Sequence, residues 1–138
     1  MKKLLIIFLI SFLFPIILLG QSTTSSCKKI RNGTFYFHPQ NAQKKLIVVR
    51  HGSIQKEINP QKTDTSFWKV TWQNDCSYSL KFIRKSRPLS DEEKFFYTSH
   101  ISVVKILTIK KDYYVFKGGL DSITNKSALT DTLWFKAN

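Results

Sequence analysis

Eight short runs rich in β-branched and aromatic residues, each bounded by turn-forming residues, follow one another from Thr34 to the end of the chain. They are Thr34 to His38, Lys45 to Arg50, Ile54 to Ile58, Phe67 to Gln73, Tyr78 to Arg84, Ile101 to Lys110, Tyr113 to Lys117 and Leu129 to Lys136. Strand-length segments spaced about ten residues apart predict a mainly β fold: one antiparallel meander of about eight strands, closing into a barrel or sandwich of lipocalin-like size. The connections agree, because His51-Gly52, Asn74-Asp75 and Lys111-Asp112 suit tight hairpins and hairpins pair neighbours in sequence. Ile58 to Ser66 and Lys117 to Ser127 read as the longest loops, with Gly118-Gly119 as a turn.

Alternation assigns the faces of two strands. Trp68, Val70 and Trp72 alternate with Lys69, Thr71 and Gln73, and Tyr78, Leu80 and Phe82 alternate with Ser79 and Lys81. The apolar members are expected in the core and, if the barrel is hollow, on the wall of its cavity. Leu46-Ile47-Val48-Val49 and Val103-Val104 are apolar on both sides, which predicts central strands or strands covered by another element. That element is a short helix over about 90–98. Ser90-Asp91-Glu92-Glu93 has the pattern of a capping box, and Pro88 breaks the preceding strand. Phe95 and Phe96 give the helix an apolar side, with which it caps one end of the barrel or crosses a sheet face.

The N-terminus has the three parts of a secretory signal: Met1-Lys2-Lys3, an apolar run from Leu4 to Leu19 broken by Ser11 and Pro15, and Gly20 before a polar segment. The run is short of the roughly 20 residues that span a bilayer. The expected organisation is a signal at 1–20, a lead-in at 21–32 carrying Cys27, and a β domain at 33–138. No transmembrane span remains after cleavage, and the product is periplasmic, outer-envelope associated or extracellular. Export favours a bridge between the only two cysteines, Cys27 and Cys76. Closing a loop of about fifty residues stabilises by roughly 4 kcal/mol. Lipid attachment at Cys27 would want Leu three positions earlier, where Thr24 stands. Neither cysteine has a partner at zinc-ligand spacing.

Charge narrows the partners. The chain carries 22 Lys and Arg against 9 Asp and Glu, a formal +13, of which Lys2 and Lys3 belong to the signal. Clusters among the rest are Lys28-Lys29-Arg31, Lys44-Lys45, Lys81 with Arg84, Lys85 and Arg87, and Lys110-Lys111. Such a surface interleaved with aromatics suits single-stranded nucleic acid, but export argues against that partner. For these clusters solvated strand faces and gatekeeping edge charges are the favoured reading, and an anionic envelope component, lipid head group or acidic polysaccharide, is the alternative partner. His38, His51 and His100 stand apart with no metal-binding spacing, and neither a nucleophile elbow nor a phosphate-binding glycine loop occurs. The capping box accounts for Asp91-Glu92-Glu93. No catalytic residue, cofactor or metal is assigned, and an enzyme is not expected unless a histidine joins Arg50, Gln55 and Glu57 in a pocket.

Cys27-Lys28, Gly33-Thr34-Phe35-Tyr36-Phe37, Arg50 with Gln55 and Glu57, and Trp72-Gln73-Asn74-Asp75-Cys76-Ser77-Tyr78-Ser79-Leu80 together resemble a family of small secreted proteins of Bacteroidota-type Gram-negative bacteria. The resemblance covers most of the chain after the signal and is most specific around Cys76. It implies a signal peptide, paired Cys27 and Cys76, and no established activity. Members are often called DNA topoisomerase IV. Such an enzyme needs an ATP-binding domain, or a large DNA-breakage domain with an active-site tyrosine and acidic metal ligands, and about 118 exported residues hold neither. The expected function is a non-catalytic binding module for a small apolar or amphipathic ligand or envelope component. The alternative is a basic structural or interaction protein contacting anionic lipid or glycan.

Overall fold

A computed structural model describes residues 26–38, 45–124 and 126–137. The expected signal at 1–20, the start of the lead-in at 21–25 and Lys44 lie outside the described residues.

The described chain enters as a 3-10 helix, Cys27–Ile30, begun by Ser26, whose hydroxyl accepts from the Lys28 N–H. The strands follow as β1 (Gly33–Phe37), β2 (Leu46–His51), β3 (Ile54–Asn59), β4 (Asp64–Trp72) and β5 (Ser77–Lys85). A helix, α1 (Asp91–Ser99), then precedes β6 (Ser102–Ile109), β7 (Tyr113–Leu120) and β8 (Leu129–Trp134). Every strand pairs antiparallel with the next and β8 pairs with β1, so the meander is a closed barrel and not a sandwich.

Turn chemistry sets the register. His51 pairs with Ile54 across Gly52-Ser53, and Gly52 has φ 58, a left-handed conformation that glycine adopts without steric cost. The Asn32 side chain accepts from the Gly52 N–H at 2.8 Å, tying the lead-in to this hairpin. Lys110 N–H donates to Tyr113 O at 2.8 Å around Lys111-Asp112. Asn74 Oδ1 accepts from Cys76 N–H at 2.9 Å in the β4–β5 turn.

Two expected loops are corrected. β4 begins at Asp64, so the segment expected to run from Ile58 to Ser66 shrinks to a turn at 60–63. Asp64 and Ser66 are polar yet buried, and Asp64 meets Lys85 at 3.3 Å, which lets a hydrophilic stretch enter the sheet. Likewise Gly118-Gly119 lies within β7 and is not a turn. The chain folds back over it: a Cβ on Gly119 would stand 2.4 Å from Ser122 O.

The interior is built from inward alternate positions, with Phe35, Val48, Val70, Tyr78, Leu80, Val104, Ile106, Tyr114 and Leu133 buried. Burying one such large side chain contributes about 1.5–3 kcal/mol. Cys27 and Ile30 from the 3-10 helix join this cluster and form a floor. Floor and wall are linked covalently by the Cys27–Cys76 disulfide, with Cα atoms 5.2 Å apart.

Helix α1 has the expected capping box, with Glu93 N–H donating to Ser90 Oγ at 3.2 Å and Ser90 N–H donating to Glu93 Oε2 at 3.0 Å. Its packing side differs from expectation. Phe95 and Phe96 are exposed, while Tyr97 stacks on Phe82 at 4.5 Å and meets the Trp68 edge at 5.7 Å. The helix therefore closes against β4 and β5 and does not cover β2. Of the two-sided apolar run on β2, Leu46 and Val48 face the interior, and Ile47 and Val49 are half-buried on the outer wall.

Candidate functional site: a barrel cavity with a charged base

Strand alternation places Leu46, Val48 and Arg50 of β2 on the inner face, together with Gln55 and Glu57 of β3. The register sets Arg50 opposite Gln55 and Val48 opposite Glu57. Arg50 is 1% exposed, a guanidinium inside a largely apolar barrel. Isolated burial of such a charge costs several kcal/mol, so its partners decide whether the fold tolerates it. Nε and Nη2 both donate to Gln55 Oε1, at 2.9 and 2.8 Å. Nη1 donates to Ile30 O at 2.8 Å and so holds the floor helix, while Nη2 also donates to the Tyr78 hydroxyl at 2.8 Å and, at 3.4 Å, to that of Tyr114. Aromatic faces complete the shell, with Cζ 4.6 Å from the Tyr78 centroid and 5.2 Å from that of Phe35.

The neighbouring groups titrate accordingly. Burial pushes the Tyr78 and Tyr114 hydroxyls above their ordinary value, so both stay protonated. Burial opposes the Arg50 charge, but its interactions with the Tyr78 and Tyr114 hydroxyls outweigh it and its pKa is raised. Gln55 Nε2 donates to Glu57 Oε1 at 2.8 Å. Burial raises the Glu57 pKa, and this hydrogen bond, Trp68 and Arg50 only partly offset the rise. The Trp68 indole N–H is close enough to act on Glu57, yet it is buried without a hydrogen bond of good geometry.

Above this base lies a cavity of about 170 Å³, polar at Gln55 and Glu57 and apolar along Phe37, Leu80, Val104 and Phe116. A second hollow of about 370 Å³ shares those four apolar residues and runs on past Gly118, Leu120 and Leu129. The two therefore adjoin, the outer one reaching the rim formed by β6, β7 and β8.

Of the residues singled out in the sequence, Tyr78 and Leu80 line this cavity and Val70 is buried in the core. Trp68 and Phe82 lie beneath α1, and Trp72 packs at the floor, 4.7 Å from Tyr78 with the Arg31 guanidinium 4.8 Å above its ring. Arg50, Gln55 and Glu57 are brought together as a cluster. No histidine joins them: His51 is exposed on the β2–β3 hairpin, His100 meets Asp121 at 2.7 Å, and His38 stands at the end of β1. Tyr114 was not singled out, although its spacing from Phe116 marks both as inward residues. Among the described residues, no group of His, Cys, Asp and Glu is placed to hold a metal ion.

No protein-family model matches the chain, and no curated protein shows significant similarity to it. Fold and cavity define a class: an eight-stranded antiparallel barrel with a disulfide-anchored floor and an interior hollow of mixed polarity.

Proposed function

We propose that this is an exported, non-catalytic binding module for a small amphipathic molecule. The ligand's tail lies along Phe37, Leu80, Val104 and Phe116 and its polar head meets Gln55 and Glu57. The observation that carries this reading is the divided lining of the cavity together with its continuation to the rim. Ligand sites generally occupy about 300 Å³ or more. The inner chamber of about 170 Å³ falls short of that size, and only joined to the outer hollow of about 370 Å³ does it reach it. Export is supported by the N-terminal segment and by the disulfide, which persists in oxidising compartments.

Native mass spectrometry of the protein purified from its own producer tests the reading directly, because a carried ligand appears as added mass that is lost on unfolding. A titration with a neutral apolar naphthylamine fluorophore complements it. Leu80→Trp and Val104→Trp, which fill the shared wall, are expected to abolish the fluorescence gain. Absence of any carried mass, combined with a gain that survives both substitutions, would sink the proposal.

A further inference from the structure

The outer wall of β3, β4 and β5 is separate from the cavity, and from it we infer a docking surface for an anionic lipid layer. Its outward positions include Lys56 on β3, Phe67 and Lys69 on β4, and Lys81 and Arg84 on β5. The register sets Phe67 between Lys56 and Arg84, and Lys69 directly opposite Lys81. Arg84 Cζ lies 3.8 Å from the Phe67 centroid and Lys56 Nζ 5.8 Å from it, so one ring positions two cations by their attraction to its face.

These four cations form no salt bridge among the described residues, and four of the carboxylates are engaged elsewhere. Asp64 and Glu93 hold Lys85 and Arg87, Asp75 holds Lys28 and Arg31, and Asp121 meets His100. Like charges opposite each other across a ladder destabilise a sheet. An anionic partner removes that cost. The shape selects the kind of partner, because none of the cavities described above is lined by this wall. A convex wall without a hollow meets a surface more readily than it encloses a small anion. Ile83, 47% exposed between Phe82 and Arg84, adds an apolar side chain among the charges. That addition favours lipid over a soluble polyanion, since it gains by leaving water only where acyl chains receive it. The inference narrows the alternative drawn from the sequence, a basic protein meeting lipid or glycan, to one wall and one partner, and it stands whatever the cavity holds.

The test is cosedimentation of the protein, recovered from cells expressing the whole chain, with vesicles of equal parts phosphatidylcholine and phosphatidylglycerol. Binding is expected to exceed that to pure phosphatidylcholine vesicles and to weaken as salt rises. Each cation removed from a lipid contact is expected to weaken binding about fivefold, so Lys69→Gln with Lys81→Gln should weaken it about 25-fold. Lys105→Gln with Lys117→Gln changes net charge equally at a cross-strand pair on the β6–β7 wall and should leave binding nearly unchanged. Arg84→Gln gives an independent reading of the same wall if the double variant melts early. Ile83→Ser should weaken vesicle binding and leave any retention by dextran sulfate unaltered. Equal losses in the two double variants, salt-independent binding, or retention by dextran sulfate without vesicle binding would each overturn the inference.

Discussion

Arg50 and Gln55 face each other across the β2–β3 ladder, and the single oxygen Oε1 of Gln55 accepts from both Nε and Nη2 of Arg50. The same amide donates through Nε2 to Glu57, so one neutral side chain links a buried cation to a carboxylate. The arrangement follows from the Gly52-Ser53 turn, since a slip of one residue would carry Arg50 to the outer wall.

Removing Arg50 should therefore be costly. Arg50→Met leaves Ile30 O, the Gln55 amide and the Tyr78 hydroxyl without their donor in a low-dielectric interior. A loss of about 3 kcal/mol or more in urea unfolding is expected. Gln55→Leu strands the cation and should cost at least as much. The double variant should cost clearly less than the two losses added. Simple additivity would show that the pair does not act as a unit.

The disulfide offers a second measurement. Cys27 and Cys76 are 49 residues apart, and the chain-entropy estimate for that loop is about 4 kcal/mol. Reduction, or Cys27→Ser with Cys76→Ser, should lower the unfolding free energy by roughly that amount. It should also release the floor, read as faster amide exchange at Ile30. Unchanged stability on reduction would contradict this.

Acid should act on two carboxylates in opposite senses. Burial raises the Glu57 pKa, so the folded chain holds that proton more tightly than the unfolded chain. Its contribution is most favourable below the ordinary carboxylate range and is lost as pH rises through the raised folded value. Glu57→Gln should then melt higher than the parent at neutral pH, and the gap should close in mild acid. Glu93 runs the other way. Its hydrogen bonds to Arg87 and the Ser90 N–H hold it at about 2, so its stabilisation is complete above the ordinary range and disappears as pH falls toward that value. Thermal melts of Glu57→Gln and Glu93→Gln across pH separate the two.

The glycines of β7 should respond unequally. A Cβ at Gly119 meets Ser122 O at 2.4 Å, a backbone atom that cannot step aside, whereas at Gly118 the nearest atom is a Phe116 ring carbon at 3.4 Å. Gly119→Ala should cost about 1–3 kcal/mol. Gly118→Ala should cost little, and equal effects on the midpoint of unfolding would show that Ser122 moves freely.

The barrel was largely legible because alternation and turn residues coincide. His51-Gly52 and Lys111-Asp112 mark hairpins, and Trp68-Val70-Trp72 shows one face of β4. Ser90 with Glu93 marks the helix start through backbone hydrogen bonds that any two-turn helix needs. What escaped was tertiary in origin. Asp64 and Ser66 have no strand propensity and enter β4 through their position beside Lys85 and Ser86. Gly118-Gly119 looks like a turn until Ser122 folds against it. The packing side of α1 is not visible in its composition, because Phe95 and Phe96 are the more hydrophobic pair, yet Tyr97 is the residue that reaches the Phe82 and Trp68 rings. The convergence of Arg50, Gln55 and Glu57 follows from parity with Val48, although no local pattern announces a buried cation, and the cavity itself depends on side-chain volumes across seven strands.

The ladder lengths have a mechanical meaning. β5 pairs with β6 only from Ser77 to Leu80 and runs on to Lys85 paired with β4 but not with β6, and β8 meets β1 only at Tyr36 and Phe37. Every other junction is longer, so the wall consists of two curved plates, β1–β5 and β6–β8, stitched along two short seams. The cavity lies between them, with Phe37 and Leu80 on one plate and Val104 and Phe116 on the other. A guest of the kind proposed would touch both plates, and its residence would be coupled to how readily the seams part.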